Sequence, residues 1–200
     1  MSREQGVRRC LQTVGEGISL CVSRTVYEDS PSTAMQEHLT SVKLEYVSPD
    51  DRKFREWLRR YREEIVGEPP PDEWLDGYIR HIFNEQGKSR HIWWAVEEGR
   101  RIGFAVAILS AQASDRQRIQ GTIAEFFVYP EYRREGYGRR MAEAVIEFLN
   151  GQGANDIHAS VTAGNVRGLR FWEACSFMIS RYVLVHRPGL RREEEDEDEL

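Results

Sequence analysis

The 200-residue chain is poor in the residues that build covalent or metal-based scaffolds. It has three cysteines, Cys10, Cys21 and Cys175, an odd number with no CxxC spacing, and this argues against a disulfide framework or a zinc cluster. Its five histidines are scattered, with no HxxxH or HxH pair, and no metal site is expected. No stretch approaches the roughly 20 apolar residues needed to span a bilayer, so no membrane association is expected. The first residues, Met1 to Gly6, lack the apolar core of a signal peptide, which makes a cytoplasmic protein the default reading. Neither a G-x-G-x-x-G nor a G-x-x-x-x-G-K loop occurs, and no internal repeat is visible.

The formal net charge of −5 is concentrated at one end. Glu193 to Glu199 are seven consecutive acids, and without them the body carries +2. A block of like charge repels itself and stays solvated, so residues 188–200 are expected to form a disordered acidic tail. Residues 1–34 show weak periodicity and end in the turn-rich Glu28-Asp29-Ser30-Pro31-Ser32-Thr33. They read as a flexible appended extension, with Met35 offering an independent start, and a chain beginning there is expected to fold and bind ligand. The alternative is an extra strand near Ile18–Val22.

Residues 35–187 carry the periodicities of a mixed α/β domain. Val42–Val47 alternates apolar and polar residues as a half-buried strand does. Ser48 then suits a helix N-cap, with Pro49 first in the helix and two acids after it. Phe54, Trp57, Leu58, Tyr61 and Ile65 recur at helical spacing until Gly67 and Pro69-Pro70-Pro71 stop them. A second helix is expected over 72–85, then strands at 91–96 and 102–109 around the turn Glu97-Glu98-Gly99-Arg100. Residues 112–120 read as a polar loop, and Thr122–Tyr129 as a strand closed by Pro130. A helix over 136–149, a strand at 157–161, a short helix at 165–175 and a last strand at 177–186 complete the order.

The chemistry concentrates in Tyr129-Pro130-Glu131-Tyr132-Arg133-Arg134-Glu135-Gly136-Tyr137-Gly138-Arg139-Arg140. A strand ends, a glycine-containing turn follows, and a long helix begins. Unpaired N–H groups and the macrodipole make a helix N-terminus attractive to anions. Glycine lets a phosphate approach the backbone without meeting a Cβ. Arg133, Arg134, Arg139 and Arg140 crowd a helix end where cations are unfavourable by a few tenths of a kcal/mol each. A bound polyanion reverses that sign, and four solvated surface arginines are the plain alternative. The patch is one short turn on a barely positive body, which argues against nucleic acid as the partner.

Arg133-x-x-Gly136-x-Gly138, with the strand Glu125-Phe126-Phe127-Val128 before it and a helix after it, resembles the R/Q-x-x-G-x-G/A signature of the GNAT superfamily of N-acetyltransferases. Asn165-Val166-Arg167-Gly168-Leu169-Arg170-Phe171-Trp172-Glu173-Ala174-Cys175-Ser176-Phe177 resembles the same family's N-x-x-A-x-x-x-Y-E-x-x-G-F segment. The resemblance covers residues 42–186. It implies a central mixed, mostly antiparallel sheet flanked by helices, and transfer of an acetyl group from acetyl-CoA to a primary amine in a ternary complex. A homodimer is common in folds of this type.

The resemblance also implies roles. Phe127, Val128, Arg133, Arg134, Glu135, Gly136, Tyr137, Gly138 and Arg139 would hold CoA, with Asn165 and Trp172 contributing from the second segment. Asn165 is equally suited to a purely structural cap. The backbone N–H near Val128 would polarise the thioester carbonyl. Glu125, on the same strand, is the candidate base, and a paired strand carboxylate is its plain alternative. Tyr182, and less directly Tyr129 and Tyr132, are acid candidates. Trp57, Tyr61, Glu68, Trp74 and Tyr78 would line the acceptor side. Two positions depart from the family pattern. Trp172 stands where many members carry a Tyr that protonates the leaving thiolate, and Ser176 stands where Gly is usual. A non-catalytic acyl-CoA sensor or interaction module is the alternative that Trp172 keeps open.

Overall fold

The structure is a computed structural model that describes residues 19–24 (backbone only), 42–112 and 117–184. The chain runs β1 (Ser19–Arg24), β2 (Lys43–Tyr46), α1 (Arg52–Val66), α2 (Asp72–Phe83), β3 (Arg90–Glu97), β4 (Arg100–Ala111) and β5 (Ile119–Val128). A 3-10 turn at Pro130–Tyr132 leads to α3 (Tyr137–Gly151), β6 (Ala154–Thr162), α4 (Val166–Ala174) and β7 (Met178–Val183).

Local chemistry sets the ends of these elements. The cap of α1 is Asp51, not Ser48: its side chain accepts from Lys53 N–H and Phe54 N–H at 2.9 and 3.2 Å. Ser48 instead closes a turn by accepting from Asp51 N–H at 3.1 Å. Asp51 also takes a hydrogen bond from Trp94 Nε1 and pairs with Arg101. Burial alone would raise its carboxyl; the Trp94 and Phe54 donors, Arg101 and the Lys53 N–H outweigh burial and hold it below the usual range. Gly67 ends α1 at φ 90°, the left-handed conformation that favours glycine. The expected polar loop at 112–120 is shorter than its composition suggested. Ile119 and Gln120 already belong to β5, opposite Ala111 and Ser110 of β4.

The sheet order is β2-β3-β4-β5-β6-β1-β7. Every neighbouring pair is antiparallel except β5 and β6. Strand β1 falls inside the segment read as a flexible extension and corrects that reading for residues 19–24. Those residues form the strand offered as the alternative, and it lies between β6 and β7. The remainder of residues 1–34, and the acidic tail at 188–200, lie outside the described residues.

Both faces of the sheet are covered, which is why Trp93 and Trp94, adjacent on β3, are both about 1% exposed. Trp94 joins Phe54, Trp57, Leu58, Leu75, Ile82 and Phe104 under α1 and α2. Trp93 joins Met141, Val145, Leu149 and Trp172 under α3 and α4. The register of β5 against β4 slips at one place: Val106 faces Glu125, whereas Ala107 faces Ile123. Ala124 is the extra residue of a β-bulge. Ile123 packs on the α3 face, while Ala124 and Phe127 pack on the α1/α2 face.

Strand β1 is hydrogen-bonded along both edges, so a chain beginning at Met35 leaves the facing edges of β6 and β7 unpaired. The truncated chain is expected to melt well below the full chain and to aggregate on heating. Thermal melts with light scattering check this, and an unchanged melting temperature would show that β1 contributes nothing to stability.

Candidate active site

The bulge at Ala124 turns Glu125 onto the α1/α2 face, where it is buried. Tyr78 of α2 donates its hydroxyl proton to Glu125 Oε1, and the Tyr61 hydroxyl of α1 lies close enough to feel the carboxylate's charge. Burial and the Glu125 charge push both phenols well above the ordinary value, so both remain protonated. Arg62 Nη1 stands 4.0 Å from the same carboxylate oxygen. Its guanidinium lies 4.9 Å over the Trp74 ring, and Trp74 stacks on Tyr78 at 5.0 Å.

Beside this cluster the sheet opens. The β5–β6 register runs from Ile119 opposite Ala154 to Ile123 opposite Ala159 and goes no further, although both strands continue. Tyr129 N–H is spent on Ile102 O at 3.0 Å. Strand alternation therefore directs Val128 N–H away from β4, into the gap that β6 has left. Phe127 points the other way: its ring is 3% exposed, packed against Phe104 and Tyr61.

The gap leads to the turn. Arg134 and Gly136 both adopt left-handed backbone, at φ 70° and 80°. Among the described residues, the N–H groups of Arg134, Glu135, Gly136, Tyr137 and Gly138 have no acceptor. A Cβ at position 138 would lie 3.1 Å from the Phe171 ring and 3.5 Å from Val128 Cγ2, so glycine lets α3 approach α4 here. The four arginines divide. Arg133 Nε donates to Val128 O at 2.8 Å and its Nη2 pairs with Glu64, while Arg140 pairs with the buried Glu97. These two hold the turn in place. Arg139 makes an exposed i,i+4 pair with Glu143, and Arg134 has no ion pair among the described residues. A row of consecutive unpaired donors with an exposed cation beside it suits a pyrophosphate.

The sequence model described as "Acetyltransferase (GNAT) family" matches residues 52–177. The chain belongs to the GNAT acetyltransferase family. No curated protein matches it in sequence. Several solved structures share its fold. An aminoglycoside acetyltransferase from an uncultured soil metagenomic sample, in complex with sisomicin, is 17% identical with a TM-score of 0.56, over 75% of this chain and 97% of that one. The aminoglycoside N-acetyltransferase AAC(6′)-Iy in complex with CoA is 18% identical with a TM-score of 0.55, over 74% and 94%. A transcriptional regulator from Bacillus halodurans C-125 is 16% identical with a TM-score of 0.59, over 73% and 99%.

The remaining expected residues of this GNAT domain fall in different places. Asn165 caps α4, its side-chain oxygen accepting from Gly168 N–H at 2.9 Å. Trp172 is 5% exposed and meets Phe126, Phe171 and Phe177 edge-on, so its indole is a core group. Tyr182 is 63% exposed on β7, three strand spacings (about 14 Å) from β5, and is not brought to Glu125. Trp57 and Tyr129 stack on each other, and Arg60 Nη1 donates to the Tyr129 hydroxyl. Tyr132 packs edge-on against Tyr137. Glu68 lies exposed in the α1–α2 loop. A cavity of about 520 Å³ at the start of α1, lined by Arg52, Lys53, Trp57 and Tyr132 among others, shares no residue with the Glu125 cluster. Among the described residues no group of His, Cys, Asp and Glu could hold a metal ion, and no helix is long and apolar enough to cross a membrane.

Sequence reasoning missed Arg62, yet a signal was present. Arg55, Arg59 and Arg62 follow one another at helical spacing on α1. The first two pair with Asp72 and Asp76 of α2, and the third meets the aromatic pair.

The two ends of α4 yield opposite expectations. Ser176, where the family pattern has Gly, stands at φ 66°. Ser176→Gly relieves left-handed strain and is expected to stabilise the chain by about 1 kcal/mol. Asn165→Ala removes the cap and is expected to destabilise it by about 1 kcal/mol. Urea denaturation of the two variants measures both signs.

Proposed function

We propose that this GNAT domain transfers the acetyl group of acetyl-CoA to a primary amine by direct attack, with no covalent enzyme intermediate. The observation that carries the reading is the parting of β5 from β6 beyond Ile123 and Ala159, which leaves Val128 N–H facing an open gap next to Glu125. The turn fits the other end of the same co-substrate, since its unpaired N–H groups form a cradle for a pyrophosphate.

Acetyl-CoA supplies the thioester carbonyl that a neutral amine attacks, forming the C–N bond and releasing the thiolate. The chain's own residues do the rest. The N–H groups of 134–138 hold the pyrophosphate, with Arg134 as an accessory charge. Val128 N–H donates to the carbonyl oxygen as negative charge develops on it. Glu125, which accepts a hydrogen bond from the Tyr78 hydroxyl, draws in the amine and takes its proton directly or through one water. Gly138 keeps α3 close to Phe171, and Arg133 keeps Val128 in place. Cys175 sits half-buried at the end of α4 and packs against the core, as a structural thiol does, which supports a route without an acyl-cysteine. The burial of Trp172 favours a second reading, a sensor that binds acyl-CoA without turnover, because the indole occupies the position of the family's acid and cannot serve as one.

Three substitutions separate these roles. Glu125→Gln is expected to lower kcat about 100-fold while leaving acetyl-CoA affinity unchanged. Gly136→Val forces a β-branched residue to positive φ and is expected to weaken CoA binding roughly tenfold or more. Arg134→Ala is expected to weaken it only about threefold, because an exposed contact is screened. Isothermal titration with CoA and thioester consumption over a panel of amines measure all three. Binding without consumption by any amine would favour the sensor. A Gly136→Val variant that binds normally would remove the turn from the site.

A further inference from the structure

The acceptor side of the cluster holds a cation that the transfer reading does not use. Arg62 projects from α1 to the Glu125 carboxylate with its side chain only 26% exposed. Its guanidinium lies 4.9 Å over the Trp74 ring and 5.9 Å from the Tyr78 ring. The aromatic pair forms one surface beneath it, since Trp74 and Tyr78 are themselves stacked within 8° of parallel. Yet the guanidinium is under-used. Its one carboxylate neighbour among the described residues stands at 4.0 Å, too far for a hydrogen bond. Glu125 Oε1 is already taken by the Tyr78 hydroxyl. Arg62 Nε is buried and has no partner. A buried guanidinium N–H without an acceptor is costly, and a planar fork with donors to spare is suited to an incoming carboxylate.

We propose that Arg62 selects the acceptor, and that the acceptor is an amine carrying a carboxylate close by, an α-amino acid or a compound of the same charge pattern. This rests on the acetyl-transfer reading and adds the substrate class. The two protein charges are opposite and adjacent, so their complement is a zwitterion: the ammonium faces Glu125 and the carboxylate faces Arg62. The exposed Trp74 ring beside them offers an apolar surface to a side chain. A polyamine or an aminoglycoside matches Glu125 with one ammonium but sets its further ammonium groups against a fixed guanidinium. Like charges brought together in a part-buried site repel strongly. Other charged groups face the cluster little: Arg90 is close enough to act on the Tyr78 hydroxyl, and it adds to the positive side.

The test compares acceptors that share an amine and differ in the anion. With acetyl-CoA at fixed concentration, CoA release is measured for L-alanine, L-methionine and L-phenylalanine, for their carboxamides, and for spermidine and sisomicin. The carboxamides have the less basic amine and more of it neutral, so intrinsic reactivity favours them. Wild-type protein is expected to prefer at least one amino acid over its carboxamide by tenfold or more in kcat/KM. Arg62→Gln is expected to erase that ratio, with the change in KM and with kcat nearly unaltered. Arg62→Glu is expected to invert it towards spermidine. Isothermal titration of the preferred amino acid into the protein–CoA complex reads the same selection without turnover, and binding is expected to vanish in Arg62→Gln while CoA affinity is retained. A wild-type preference for the carboxamide, spermidine or sisomicin overturns the proposal, as does an acid-to-amide ratio that Arg62→Gln leaves unchanged. Failure of the transfer reading looks different: acetyl-CoA binds, and no amine in the panel releases CoA from any variant.

Discussion

Everything at the site depends on how β5 is paired along its two edges. On one side it stays hydrogen-bonded to β4 over its whole length, with one bulge at Ala124. On the other it is paired to β6 only as far as Ile123. The bulge turns a carboxylate onto the helix-covered face, and the lost partner frees a backbone donor three residues later. A strand that was regular on both edges would satisfy the Val128 N–H internally and point Glu125 to the opposite face. The geometry behind the proposed chemistry is thus a local defect in an otherwise complete sheet, held by the packing on both faces.

That packing explains the division of labour among the basic residues. Arg133 and Arg140 are anchored to Val128 O, Glu64 and Glu97, and their task is to fix the turn. The unpaired N–H groups between them are then set in position before any ligand arrives, so binding need not pay for ordering the loop. Tyr78 plays the corresponding part for Glu125, holding it from α2 by a hydrogen bond.

Much of this was legible in the residues. The strand, glycine turn and helix around 133–138 announced the cradle, and the apolar spacing on α1 and α3 gave the two covering layers. Other features had no local signature. Plain alternation along 123–127 places Ile123, Glu125 and Phe127 on one face, and only the pairing with β4 reveals the bulge between them. Trp172 reads as a substituted acid in the linear motif, whereas its burial depends on Phe126 and Phe177, far from it or on another element. Ser48 looked like a cap because its type suits one. Asp51 took the position because it also reaches Trp94 and Arg101 across the sheet. In each case the deciding partner was remote in sequence.

Strand β1 has a consequence for the order in which the chain can be completed. The ribosome makes this strand before every other described element, whereas its two neighbours, β6 and β7, follow much later. It must therefore wait, without those partners, until β6 and β7 have been made. Its pairing with β6 and β7 spans most of the described chain, and contacts that distant in sequence form slowly. Until then β6 and β7 expose open edges, and a nascent chain released early is an edge-to-edge aggregation hazard.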